Sequence, residues 1–171
     1  MQAIFGLIAI LFYSASVALQ VSALRGTQRR TLMLGCGVLA VLAHSASIGG
    51  VLLTAEGWRF GLIEISTLIS AVIAALVLFS CLRRPLDNLL LGLFPLSIFS
   101  IIAALSIASD YPATQLSGGA ASHVLLSILA YSVITIAALQ ALLLAYQNSR
   151  LKHHHPGGLL SKLPPLQDME A

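Results

Sequence analysis

The sequence predicts an all-α fold, a polytopic transmembrane helix bundle of about five membrane-spanning helices, and three observations predict it. Of the 171 residues, 58% are hydrophobic and only 9% are charged, whereas a soluble domain carries about 25% charged residues. The apolar residues gather into five runs, each near or above the ~20 residues that cross ~30 Å of hydrocarbon as a helix. Eight of the nine Lys and Arg residues fall in alternate connections between those runs or in the tail after the last, as topology signals do. A water-soluble core of this length would leave much of its apolar surface exposed, so the solvent this sequence fits is a lipid bilayer.

Each run has its own justification. The first, about residues 2–22, has no basic segment ahead of it and no clear cleavage site, so it reads as a retained span and not as a signal peptide. The second, about 32–54, carries His44 near its middle. The third, about 62–81, opens with Glu64. Pro85 helps begin the fourth, about 89–108, while Pro95 lies inside it and is expected to kink it or loosen its first turns. The fifth, about 123–146, starts at His123, with Ser122 as candidate N-cap. "IGG" after His44 and the small residues Ala130, Ala137, Ala138 and Ala141 are expected to allow close helix packing. Residues 1–148 thus form one transmembrane domain. Residues 149–171, rich in proline and glycine, read as a poorly ordered cytoplasmic tail or a linker to further spans.

The connections "RGTQRR" and "LRRPLDN" and the tail hold the eight clustered basic residues, and the other two loops hold only Arg59. The positive-inside rule therefore directs the N-terminus outward and the C-terminus to the cytoplasm. Trp58, Phe60 and Tyr111 then lie at the outer interface, where aromatic rings favour the headgroup region. The net charge of +3 comes from these clusters and does not point to nucleic acid. Cys36 and Cys81 form no CxxC and lie on opposite readings of depth, one in a span and one beside the cytoplasmic loop, which argues against a disulfide, a zinc site or an outer-face thiol oxidase. No nucleophile–base pair or acid pair is evident, so no catalytic constellation is assigned.

Three side chains are expensive or unusual where they stand. His44 lies about twelve residues, or ~18 Å, into its span, where an unpaired polar group costs several kcal/mol. It is either a neutral histidine hydrogen-bonded to a neighbouring helix or a metal ligand, most naturally to haem iron. His123 is either an interfacial residue at a helix start or half of a second ligand site. Glu64, just inside the outer end of its span, is expected to face protein or a water-filled cavity. Gln140 reads as an interhelical hydrogen bonder. His153, His154 and His155 point in different directions from a solvated tail and form no closed site.

The segment "SHVLLSILAYSVITIAALQALLLAYQ", with its His-x(7)-Tyr spacing from His123 to Tyr131, resembles the histidine-bearing span of the cytochrome c assembly family, the CcsA/HemX-like membrane proteins. "LAHSASIGGVLL…GWRFGLIEISTLIS" resembles that family's transmembrane histidine, outer loop and following acidic residue. With "LPPLQDME", the likeness is to its YpjD-type inner-membrane branch and extends over most of the chain. The resemblance implies haem as cofactor, a role in cytochrome c biogenesis alongside cytochrome c maturation proteins, and location in a bacterial inner membrane. It also implies that His44 and His123 are each the first member of a histidine pair, with Glu64 as a supporting residue. Family members carry further spans after "PPLQ" that supply the second histidines, so the resemblance implies that the chain is an N-terminal five-span portion or a naturally shortened relative. The family's tryptophan-rich WWD motif is absent, Trp58 being the only tryptophan. The alternative class is a non-haem membrane scaffold or transporter accessory protein.

Overall fold

The computed structural model of the chain describes residues 1–24, 29–83, 86–107 and 111–152. Five long helices account for most of them: α1 (Gln2–Leu24), α2 (Arg30–Leu52), α3 (Leu62–Cys81), α4 (Asp87–Ser106) and α5 (Gly118–Lys152). All five are long and apolar enough to cross a membrane. The only strands among the described residues are β1 (Leu53–Thr54) and β2 (Gly57–Trp58), an antiparallel hairpin between α2 and α3. The protein is an all-α polytopic membrane bundle.

The distribution of side chains suits lipid. Leu62 is 80% exposed and Phe99 75%, while Ser16, Gln20, His44, Ser47, Glu64, Thr67, Ser70, Ser97 and Ser132 are buried. Without water to solvate them, polar groups in a span must find partners inside the protein. Ser16 Oγ donates to the Met33 carbonyl at 2.9 Å, joining α1 to α2. The Ser70 and Ser100 hydroxyls lie 2.6 Å apart, joining α3 to α4.

Helices α1 to α4 share one core, which includes Tyr13, Ala40, Ala74, Val77, Leu78, Leu90, Phe94 and Ile101. Two glycines let backbones close up. A Cβ on Gly37 would stand 2.9 Å from Leu78 Cδ1 and 3.2 Å from Phe94 Cζ, and one on Gly6 would stand 3.2 Å from Leu105 Cδ1. The expected "IGG" contact does not form: Gly49 and Gly50 have nothing within 4 Å of where a Cβ would be. Pro95 lies within α4 with its ring exposed.

Helix α5 packs chiefly on α3. Ile128 and Ser132 are buried, with Ile136, Leu139 and Leu143 half-buried, a stripe at helical spacing. The small residues Ala130, Ala137, Ala138 and Ala141 are exposed on other faces, so the expected small-residue interface is corrected to this larger-residue stripe. Gln140 is half-buried on the same helix.

The two ends of the bundle differ. At one end, Arg30 forms an ion pair with Asp87 at 2.7 Å and also donates to the Cys81 carbonyl, so the starts of α2 and α4 meet the end of α3. Gln20 Nε2 donates to Asn88 Oδ1 at 3.3 Å there, bringing in the end of α1. At the other, hairpin end, Trp58 and Thr114 exchange backbone hydrogen bonds of 3.0 and 2.8 Å. This contact ties the α2–α3 connection to the α4–α5 connection. Gln115 adds a side-chain hydrogen bond to the Glu56 carbonyl at 2.9 Å. The rings of Trp58 and Phe60 stack, 5.5 Å between centroids.

Boundaries shift where local chemistry overrides hydropathy. The second span stops at Leu52, two residues early, because Leu53 and Thr54 enter the hairpin. The fifth begins at Gly118, not His123, with Ser117 Oγ accepting the Ala120 N–H at 3.3 Å as the cap in place of Ser122. It also runs on to Lys152, so residues 149–152, expected in the tail, are helical. The His153–His155 run and the remainder of the tail lie outside the described residues.

Candidate functional site

His44 is fully buried at 0% exposure. Its Nδ1 lies 3.2 Å from the Tyr13 hydroxyl of α1, and the two rings meet edge to face at 5.8 Å. Tyr13 is itself buried, and its ring packs against Phe94 of α4 at 4.8 Å. Phe94 therefore props the tyrosine that orients the histidine. His44 Nε2 has no hydrogen-bond partner. If Nδ1 carries the proton and donates to Tyr13, the Nε2 lone pair is free. In the other tautomer, an N–H points without a partner into the protein. A partner on one ring nitrogen that leaves the other open is how metal-bound histidines are oriented.

Haem tests this arrangement in two ways. The donor chemistry fits, since a buried neutral imidazole with an unsatisfied Nε2 can ligate iron. The packing does not supply room, because the residue is 0% exposed and leaves no space for even a water molecule against the ring. A macrocycle at Nε2 requires α1, α2 or α4 to move apart.

His123 stands on the exposed surface of α5, five residues into that helix, and its carbonyl accepts the Ser127 hydroxyl at 2.8 Å. His44 is buried within the helix core, whereas His123 lies on the exposed surface of α5, so the structure does not bring the two histidines together. Among the described residues, no three His, Cys, Asp or Glu side chains gather in a way that could hold a metal ion.

Glu64 is 5% exposed, and its Oε2 has no partner. It lines a cavity of about 360 Å³ at the hairpin end, bounded by the start of α1, the ends of α2 and α4 and the start of α3. Ser47, one turn from His44, lines the same cavity, and so does Arg59, whose buried Nε is also unpartnered. His44 is not among the lining residues. The expectation that Glu64 faces a cavity thus holds, and the cavity adds Arg59.

Tyr13 and Arg59 were not singled out from sequence as site residues. Tyr13 left a signal. It lies about 17 Å along α1 from the hairpin end, His44 lies about 12 Å along α2 from the same end, and a mid-span tyrosine hydroxyl needs a partner. Arg59 left one too, as the lone basic residue of its side, but only the hairpin turns it toward Glu64.

Fold and site together define a polytopic membrane protein with a buried tyrosine–histidine pair and a charged cavity at one end. The chain is similar to the protein named "Inner membrane protein YpjD" of Escherichia coli strain K12, being 27% identical over 173 aligned positions that cover 98% of this chain. The proteins of the same name in E. coli O6:H1 and O157:H7 match to the same extent. The chain spans 65% of the length of these relatives. No protein-family model matches it, and no solved structure is significantly similar.

Proposed function

We propose that this chain is a haem-handling component of cytochrome c biogenesis in a bacterial inner membrane, with His44 as a half-site inside the membrane and His123 as a half-site at the outer face. The observation that carries this reading is the buried His44 imidazole, oriented by Tyr13 through Nδ1 and unsatisfied at Nε2. The burial of His44 in the core and the exposure of His123 on the surface of α5 support two sites and not one shared iron. Glu64 serves as a supporting polar group in the cavity one turn from His44. Haem, when bound, supplies the iron that these imidazoles ligate. The chain's own part is to hold the His44 ring in one tautomer and keep water from it. Its partners in this reading are the bilayer, haem, cytochrome c maturation proteins and further spans that supply the second histidines.

The test is haem content. Full-length protein purified from haem-replete cells is expected to carry haem, with His44→Ala and His123→Ala each removing a different part of the absorption spectrum. Tyr13→Phe is expected to shift the His44-dependent part without abolishing it. Haem content no higher than that of an unrelated membrane protein purified in parallel would overturn the reading.

One observation favours the second reading, a non-haem scaffold: the complete burial of His44 in a packed core. In that case His44→Leu destabilises the bundle, and no preparation shows a Soret band.

The orientation belongs to this proposal. Helix ends near Arg30 and Asp87 lie together, and the Arg59-bearing hairpin lies at the opposite end, which suits an outward N-terminus and a cytoplasmic C-terminus. Reporter fusions after Arg30, Pro85 and Lys152 are expected to report cytoplasm, and fusions within 55–60 and 111–117 the outer side. The reverse pattern would move His123 to the cytoplasmic face and remove the outer half-site.

A further inference from the structure

The cavity at the hairpin end holds two opposite charges that do not pair with each other. Among the described residues the ion pair is Arg30–Asp87, at the far end of the bundle. Glu64 nonetheless stands in a nearly dry wall with Oε2 unsatisfied, and Arg59 Nε is buried and unsatisfied in the same cavity. Buried charged groups are normally paired or hydrogen-bonded, so two residues of opposite sign that line one space without an ion pair between them mark a place for a ligand that carries both charges.

We propose that this cavity binds a small zwitterion, with its anionic group at Arg59 and its protonated primary amine at Glu64, the chemistry of a phosphoethanolamine headgroup. Three features select that class. A guanidinium suits a phosphate, to which it donates in a fork. A carboxylate suits an ammonium that has N–H groups to give. The volume, about 360 Å³, lies at the small end of the roughly 300–1,000 Å³ range of ligand pockets, enough for a headgroup. The remaining walls include Ile48, Val51, Ile63 and Leu105, apolar side chains against which the first carbons of an acyl chain can lie. The same zwitterion can arrive from two sources, as phosphatidylethanolamine from the surrounding leaflet or as free phosphoethanolamine from water. The site shares Glu64 with the haem reading, but neither histidine lines it, so lipid retention in His44→Ala and His123→Ala variants separates the two.

Native mass spectrometry of the full chain in detergent tests this, using short-chain phosphatidylethanolamine, phosphatidylcholine and phosphatidylglycerol at matched concentrations. Calorimetry with free phosphoethanolamine tests the second source. Phosphatidylcholine keeps the cation but has no N–H for Glu64, and phosphatidylglycerol lacks the cation. The expected result is phosphatidylethanolamine retention at least tenfold above the other two, reduced at least tenfold by Glu64→Gln and by Arg59→Gln. Binding of the lipid alone assigns a leaflet source, and binding of phosphoethanolamine as well shows that the headgroup suffices. Equal retention of the three lipids by the unaltered chain, with no heat from phosphoethanolamine, overturns the proposal. So does undiminished binding in both variants. If either variant fails to fold, the comparison of headgroups on the unaltered chain still decides.

Discussion

Phe94→Ala is expected to destabilise the bundle by about 3 kcal/mol, within the range for removing a buried aromatic ring. Phe94 is 0% exposed and lies in the core that α1 to α4 share. Its ring meets Tyr13 at 4.8 Å, and its Cζ stands 3.2 Å from where a Cβ on Gly37 would be. In lipid no water is expelled when helices associate, so contacts and the absence of voids hold them together. Alanine removes the contacts and leaves the void. By the scaling of domains this size, the loss corresponds to an apparent Tm lower by about 6–12 °C. The Cys81 thiol offers a readout, being fully buried in the native state and open to a thiol-reactive dye once the bundle parts. Cys36 is half-buried, so the assay is best run in a Cys36→Ser background. A fall of less than about 2 °C would mean that the core re-forms around the gap. Because Phe94 supports the ring that orients His44, the same variant is expected to broaden any His44-dependent spectral signal.

Much of the fold was legible because hydropathy sums over long windows. Span three, expected at about 62–81, is the helix Leu62–Cys81. The exact ends were less legible because they depend on hydrogen bonds that composition does not report, such as the Ser117 cap and the Leu53–Trp58 pairing. Helix faces were the least legible. When a helix is apolar on every side, periodicity no longer separates protein-facing from lipid-facing positions. Small residues are then a poor guide: Gly6 and Gly37 sit at close contacts, while Gly49, Gly50 and the alanines of α5 do not. Of the site, His44 and Glu64 announced themselves by the difficulty of keeping polar groups in lipid. Their neighbours Tyr13 and Arg59 depend on which helices and turns lie side by side, a long-range property the local sequence does not carry.

Gly57→Val is expected to have the largest effect of any single change in the connections. Gly57 has φ of +130°, a backbone conformation open to glycine and closed to β-branched residues. Even with the backbone held, a Cβ there would stand 2.6 Å from the Thr114 carbonyl oxygen and 2.8 Å from its carbon. Neither atom is the end of a flexible side chain, so the hairpin and the α4–α5 connection must separate. The paired Trp58–Thr114 hydrogen bonds go with them. Backbone strain of this kind is worth about 1–3 kcal/mol, and two backbone hydrogen bonds add about 1 kcal/mol each. Arg59 follows Trp58 directly and its N–H ties it to the hairpin through the Leu52 carbonyl at 2.9 Å, so it is expected to move with the displaced hairpin and leave the cavity. Retention of phosphatidylethanolamine should then fall about as far as in Arg59→Gln, although the charge remains in the chain. Gly49→Ala is the matched control: it is helical, has no atom within 4 Å of the new Cβ, and should be neutral or stabilising by up to ~1 kcal/mol. Protease cleavage between 55 and 60 in intact membranes, compared across the two variants, measures the outcome. Equal protection in both would show that the hairpin is not held in the glycine-only conformation and that Arg59 reaches Glu64's cavity by another route.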